Sequence, residues 1–219
     1  MKGVNLAYLA YPPPEVVERR GRALAVLDAV LSPEWEERYF SFDQDWSAGA
    51  RMASARNGSG DEAFMLFSQG ECVFKQFLHE VPQRLSLAEA QALTEVQGTA
   101  GALGPSPLLG EFLAEPAFST EELTELGWYV PGVRHWVVMH PAGAVTEDSL
   151  FRLLFQGDAL LYAAWAGDMF ELPVPEAAAE LVFRHAPLTP SLVQALNPEA
   201  DWESAREEAA GMGYPVQPA

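Results

Sequence analysis

With one cysteine, Cys72, among 219 residues, the chain can form no internal disulfide. That fits a reducing compartment, and the expected location is the cytoplasm. It has no apolar run near the roughly 18 residues that cross a bilayer, so no membrane partner is expected. The N-terminus, Met1-Lys2-Gly3-Val4-Asn5-Leu6, leads through a short apolar stretch to Pro12-Pro13-Pro14, with one lysine and no small-residue cleavage site, so no signal peptide is expected. Positive charge is scarce as well. There are 13 Lys and Arg against 31 Asp and Glu, for a formal net charge of −18. Residues 1–109 hold 9 basic and 14 acidic side chains, whereas residues 110–219 hold 4 and 17, so the second half is far more acidic. Such a chain repels phosphate backbones, which argues against nucleic acid as a partner. It attracts a basic protein, and salt weakens that attraction.

Catalytic and metal-binding signatures are lacking too. Asn57-Gly58-Ser59-Gly60-Asp61 has the wrong glycine spacing for a nucleophile elbow. It also has no Gly-Lys-Ser or Gly-Lys-Thr, and Asp61 and Glu62 place negative charge where a phosphate would sit. Gly58 and Gly60 therefore read as residues that let a turn adopt positive φ. His79-Glu80 is not a zinc-protease motif, because position 83 is Gln. His135 and His140 lie an odd number of residues apart on one expected strand, hence on opposite faces, and His185 is isolated. Asp43-Gln44-Asp45 opens like a calcium loop, but Ala48 and Ser54 stand where that loop needs Gly and Glu. Cys72 sits inside an apolar strand and reads as a small buried hydrophobe. Trp46, Trp128, Trp136, Trp165 and Tyr162 read as core or rim. No catalytic residue, cofactor or metal ligand is expected from these patterns.

What is present is enough apolar material for a folded core: 49% hydrophobic residues and 11% aromatics. Glu15 to Leu31 has helical periodicity. Ser32-Pro33 followed by Glu34, Glu36 and Glu37 is a helix-start pattern. Arg38–Phe42 reads as a short strand, Asp43–Trp46 as a turn, and Ala48–Ala55 as short helix or coil. Capping boxes at Ser86–Glu89 and Ser119–Glu122 predict helices, the second stopping near Gly127. Residues 134–139 read as a strand. From Thr146 the pattern is helical in segments separated by Pro173, Pro175, Pro187 and Pro198. This order is α+β: a small antiparallel sheet, made of a hairpin over about 61–78 with short strands near 38–42 and 134–139, packed with helices, and a helix-rich C-terminal half. One domain over 1–219 is expected, with sub-lobes 1–97 and 108–219 on either side of the Gly/Pro-rich stretch 98–107.

The densest signal is the hairpin itself. Glu62–Phe67 and Cys72–Leu78 are apolar strands around the turn Ser68–Glu71. An antiparallel hairpin returns to its starting end, so the entry loop and the exit pair His79-Glu80 fall together. Arg56, Asn57, Asp61, His79 and Glu80 are the candidate binding residues.

The pieces Tyr39–Phe42 with Trp46, Met52-Ala53-Ser54, Arg56-Asn57-Gly58-Ser59-Gly60-Asp61, Lys75–Glu80, Glu115–Phe118, Leu196-Asn197-Pro198 and Gly213-Tyr214-Pro215 run through most of the chain. As a set they resemble a family of uncharacterised bacterial proteins with an Arg-Asn-Gly-Ser-Gly-Asp loop and a hairpin ending in His-Glu. Similar sequences tend to carry Gly where this chain has Gln76 and Asp where it has Leu78. The resemblance implies no activity. Three readings stand. The first is a non-catalytic binding or inhibitory protein, immunity-like, that meets a basic partner through its acidic surface. The second is an enzyme or small-ligand binder with a pocket near Asp61 and His79. The third is structural: the Asn57–Asp61 loop is a conformational device and the function lies on another surface.

Overall fold

The computed structural model describes residues 3–92, 107–121, 123–142 and 150–218. Its centre is a seven-stranded, wholly antiparallel sheet. The strands are β1 (Val4–Leu9), β2 (Phe40–Ser47), β3 (Ala50–Arg56), β4 (Glu62–Ser68), β5 (Glu71–Phe77), β6 (Glu125–Val130) and β7 (His135–Pro141). They lie in the order β1-β7-β6-β5-β4-β3-β2, so β2 to β7 form one meander and β1 closes its far edge. The helices are α1 (Pro14–Leu31), α2 (Pro107–Ala114), α3 (Arg152–Gln156), α4 (Ala159–Met169), α5 (Glu176–Phe183), α6 (Pro190–Leu196) and α7 (Trp202–Gly211). Residues 87–92 are also helical.

Both faces of the sheet are covered, and the strands read accordingly as continuous apolar runs. Along the hairpin the side chains alternate with period two. Ala63, Met65, Phe67, Cys72 and Phe74 enter the cluster beneath α1 and the C-terminal helices. Phe64, Leu66 and Val73 enter the cluster that includes Leu108, Phe112 and Phe118. α1 lies between the sheet and the C-terminal helices. From Ala23 to Leu31 all its residues are buried, so this half shows no solvent stripe. Gly21 lets the helix settle on β3, because an added Cβ would meet Ala53 Cβ at 3.3 Å.

The α+β class, the hairpin, the strands near 38–42 and 134–139 and the helical C-terminal half stand as read from the sequence. The sheet is much larger than expected, for identifiable reasons. The expected turn Asp43–Trp46 lies inside β2, with a register irregularity between Asp43 and Ser47 and an Asp45 amide that donates to Asp43 Oδ1 at 2.9 Å. The expected helix or coil at Ala48–Ala55 is β3. Its Ala-rich sequence has weak strand propensity, but pairing with β2 on one side and β4 on the other decides. The helix expected to stop near Gly127 is instead strand β6, where Gly127 pairs with Phe74 and leaves room for its ring; a Cβ there would collide with that ring. Ser32-Pro33 starts only a 3-10 turn, Trp35–Glu37. β1 is an edge strand whose short apolar run the sequence did not distinguish from a leader to the prolines. The stretch 98–106, the helix extension 93–97 and the start of the segment at 146–149 lie outside the described residues. Strands on either side of 98–106 join one sheet through the β5–β6 pairing.

Candidate functional site

β4 starts at Glu62, opposite Phe77, so the loop 57–61 and the chain leaving β5 meet at one end of the sheet. The loop closes on itself first. Asn57 Oδ1 accepts from the amides of Ser59 at 2.9 Å and Asp61 at 3.2 Å, an Asx-type turn. Gly58 and Gly60 take φ of +72° and +99° to complete it. Asp61 then joins loop to exit. Its Oδ2 accepts from Asn57 Nδ2 at 2.6 Å, and its Oδ1 accepts from both the amide and Nδ1 of His79, each at 2.7 Å. Burial acts to raise the Asp61 pKa. The His79 amide and ring, the Asn57 amide and the nearby imidazole charge outweigh it and hold the carboxyl below its usual range. An ionised carboxylate only accepts, so His79 Nδ1 carries a hydrogen and donates it.

Of the five predicted residues, the structure thus brings together Asn57, Asp61 and His79. Glu80 is 89% exposed, and its carboxylate comes no nearer to His79 Nε2 than 3.8 Å. Arg56 turns away. Its guanidinium lies 5.1 Å from the Trp35 ring centre and 5.9 Å from that of Phe64. Another cation, Arg84, donates to the His79 carbonyl at 3.1 Å and covers the Phe77 ring at 4.8 Å.

An Asp–His pair is the orienting half of a general base. Here Nε2 looks towards Glu80 instead of a hydroxyl or thiol, and Cys72 is buried within the sheet, which pushes its thiol well up. Among the described residues no three His, Cys, Asp or Glu side chains converge to hold a metal ion. A cavity of about 290 Å³ lies on the Arg56 side; Asn57 and Gly58 of the loop line it, Asp61 and His79 do not.

Two polar clusters in the interior escaped sequence reasoning. Asp28, on α1, is wholly buried and accepts from the amides of Tyr39 at 3.0 Å and Phe40 at 2.7 Å through Oδ2, and from the Tyr162 hydroxyl at 2.7 Å through Oδ1. It caps the outward-facing Phe40 amide of β2, an edge strand. Burial pushes it up to about 7, against the pull of those three donors and of Arg38. The second is Lys75, fully buried, whose Nζ donates to Glu62 Oε1 at 2.7 Å and to the Ser119 carbonyl at 3.2 Å. Asp28 had a visible signal: a lone carboxylate inside the apolar run Leu24–Leu31. Lys75 had one too, a cation at the centre of an apolar strand.

No protein-family model, curated protein or solved structure matches the chain. No described helix is long and apolar enough to cross a membrane.

Proposed function

We propose that the chain is a non-catalytic binding or inhibitory protein, immunity-like, that captures a basic protein in the cytoplasm and leaves nucleic acid alone. One observation carries this reading: five basic side chains are engaged by the protein itself, while the C-terminal half presents a run of exposed carboxylates. Arg20 donates to the Phe155 carbonyl at 2.7 Å, Arg22 to the Met212 carbonyl at 2.8 Å and Arg38 to the Ser32 carbonyl at 2.8 Å. Arg38 also pairs with Glu208, Arg51 pairs with Glu18 and Lys75 with Glu62. In contrast Asp168, Glu171, Glu176, Glu199, Glu203 and Glu207 are all exposed. These carboxylates give the surface of the C-terminal half a negative field, and such a field speeds capture of a cation-rich partner. The hairpin end supports the same reading, since Asp61 is engaged by three donors from its own chain. Immobilised protein incubated with native lysate at low salt is expected to retain basic proteins that elute at high salt. Retention of none, or retention indifferent to salt, refutes the reading.

A further inference from the structure

The cavity beside Arg56 is formed by elements far apart in sequence. Trp35, Glu36 and Glu37 come from the 3-10 turn, Arg38 and Tyr39 from the link to β2, Phe40 and Ser41 from its start, Ser54 and Arg56 from β3, Asn57 and Gly58 from the loop after it, and Met169 from the end of α4. At about 290 Å³ it is close to the low end of ligand pockets, roughly 300 Å³, and suits one side chain better than a cofactor. Two large apolar residues stand open at it: Trp35 is 52% exposed and Met169 41%. Exposed apolar surface rimmed by polar groups marks an interaction site, and a tryptophan in a pocket is the commonest energetic anchor of one. The back wall is preformed, with Tyr39 against Phe40 at 4.7 Å and against Trp165 at 4.9 Å between ring centres. It is also tied to the core, because the Tyr39 and Phe40 amides are both held by Asp28.

Charge tells what fits. Glu36 and Glu37 line the cavity and are exposed, and Asp168 and Glu171 flank Met169 in the chain, exposed as well. Arg56 lines the cavity too, exposed and with its guanidinium over Trp35, while the Ser41 and Ser54 hydroxyls bond each other at 2.6 Å. A cation seated in the cavity is repelled by Arg56; a cation beside it meets Glu36, Glu37, Asp168 or Glu171. We propose that this pocket is the anchor point of the acidic surface, and that it takes a neutral apolar side chain from a basic segment of the partner, with Lys or Arg on either side of that anchor. The proposal rests on the binding reading above and adds to it the place and the pattern recognised.

The test uses two short lysine-rich peptides of equal charge, one with a central leucine and one with glycine in its place, each followed by fluorescence anisotropy at low salt. The leucine peptide is expected to bind about tenfold more tightly. Trp35→Ala and, independently, Met169→Ala are expected to erase that preference while leaving the glycine peptide's affinity unchanged. Glu36→Gln with Glu37→Gln weakens both peptides alike. Equal affinity of the two peptides for the unaltered protein overturns the pocket and leaves the acidic-surface reading standing, as does a preference that survives in both alanine variants. Failure of both peptides to bind at low salt overturns that reading and the pocket with it.

Discussion

Asp28 and Asp61 each accept three hydrogen bonds, two of them at a single oxygen, and their acidities move in opposite directions. Asp28 joins a helix to an edge strand in the interior; Asp61 joins a loop to the end of a hairpin at the rim. For Asp28 burial prevails over the donors and raises the carboxyl to about 7. For Asp61 the same penalty is smaller, an imidazole adds its charge, and the carboxyl falls below its usual range. Donor number therefore does not set the direction; depth and the nearest opposite charge do. The comparison also separates two uses of one residue type. The deep carboxylate holds up the wall behind the Trp35 pocket, through Tyr39 and Phe40, whereas the shallow one ties the loop to the end of the hairpin.

The largest expected effect is at the deep site. Asp28→Ala leaves the Tyr39 and Phe40 amides and the Tyr162 hydroxyl without their acceptor. At about 1–3 kcal/mol for each orphaned buried donor, urea unfolding is expected to show a loss on the order of 3–5 kcal/mol. Asp61→Ala is expected to cost only about 1–2 kcal/mol, because the donors it frees lie near water. Equal losses at the two sites break the comparison. A milder probe, Tyr162→Phe, removes one of the three donors to Asp28 and is expected to cost about 1 kcal/mol.

The two carboxylates also predict opposite pH slopes. The folded state holds the Asp28 proton more tightly than the unfolded chain does, so this group's contribution is complete below 3.8, its unfolded value, and is lost as pH rises through about 7. Glu125, pushed up to about 7 by burial, acts in the same sense. Each can contribute a slope of up to about 1.4 kcal/mol per pH unit in that window. Asp28→Asn is expected to remove one of the two slopes, visible as a flatter stability profile between pH 4 and pH 7. Asp61 acts the other way. Its folded value is depressed, so its contribution is present above the unfolded value and is lost as pH falls. Asp61→Asn is accordingly expected to flatten the acid limb, by about 1 kcal/mol or less at this partly exposed site. Thermal melts of both variants across pH check the signs, and slopes of the same sign refute the assignment.

How much of this was legible in the sequence follows from the same distinction between local and distant causes. The hairpin, the turn at Asn57–Asp61 and most C-terminal helices were readable because their signals are local: strand patterning, Asx and Gly chemistry, and N-caps such as Asp158, Thr189 and Asp201, each of which accepts an amide from the following turn. β3 and β6 were not, because each is decided by its neighbours. An Ala-rich segment becomes a strand only between two others, and Gly127 marks a close ring and not a helix end. At the candidate site the Asp61–His79 contact followed from hairpin geometry. The direction of Arg56 did not, since it depends on Trp35, whose turn the sequence cast as the start of a helix. The pocket joins Trp35 to Met169, a pairing that no local pattern encodes.

The smallest expected effect separates a loop that is only a conformational device from one that binds. Gly58 has φ of +72°, and a Cβ placed there meets nothing within 4 Å. Gly58→Ala therefore carries the backbone penalty alone, about 1 kcal/mol. Gly60 has φ of +99°, further from the left-handed basin that an alanine tolerates, and its Cβ would come within 3.9 Å of His79 Cγ. Gly60→Ala is expected to cost more, about 1–3 kcal/mol, and to disturb the Asp61–His79 bond, read as a change in the His79 ring nitrogen chemical shifts by NMR. Gly58→Ala is expected to leave those shifts alone. Gly58 lines the anchor pocket and Gly60 does not, so Gly60→Ala is the variant that tests the loop apart from the pocket. If the loop merely closes the end of the sheet, Gly60→Ala leaves the affinity of the leucine peptide unchanged; a large loss in Gly60→Ala instead places the partner directly on the loop.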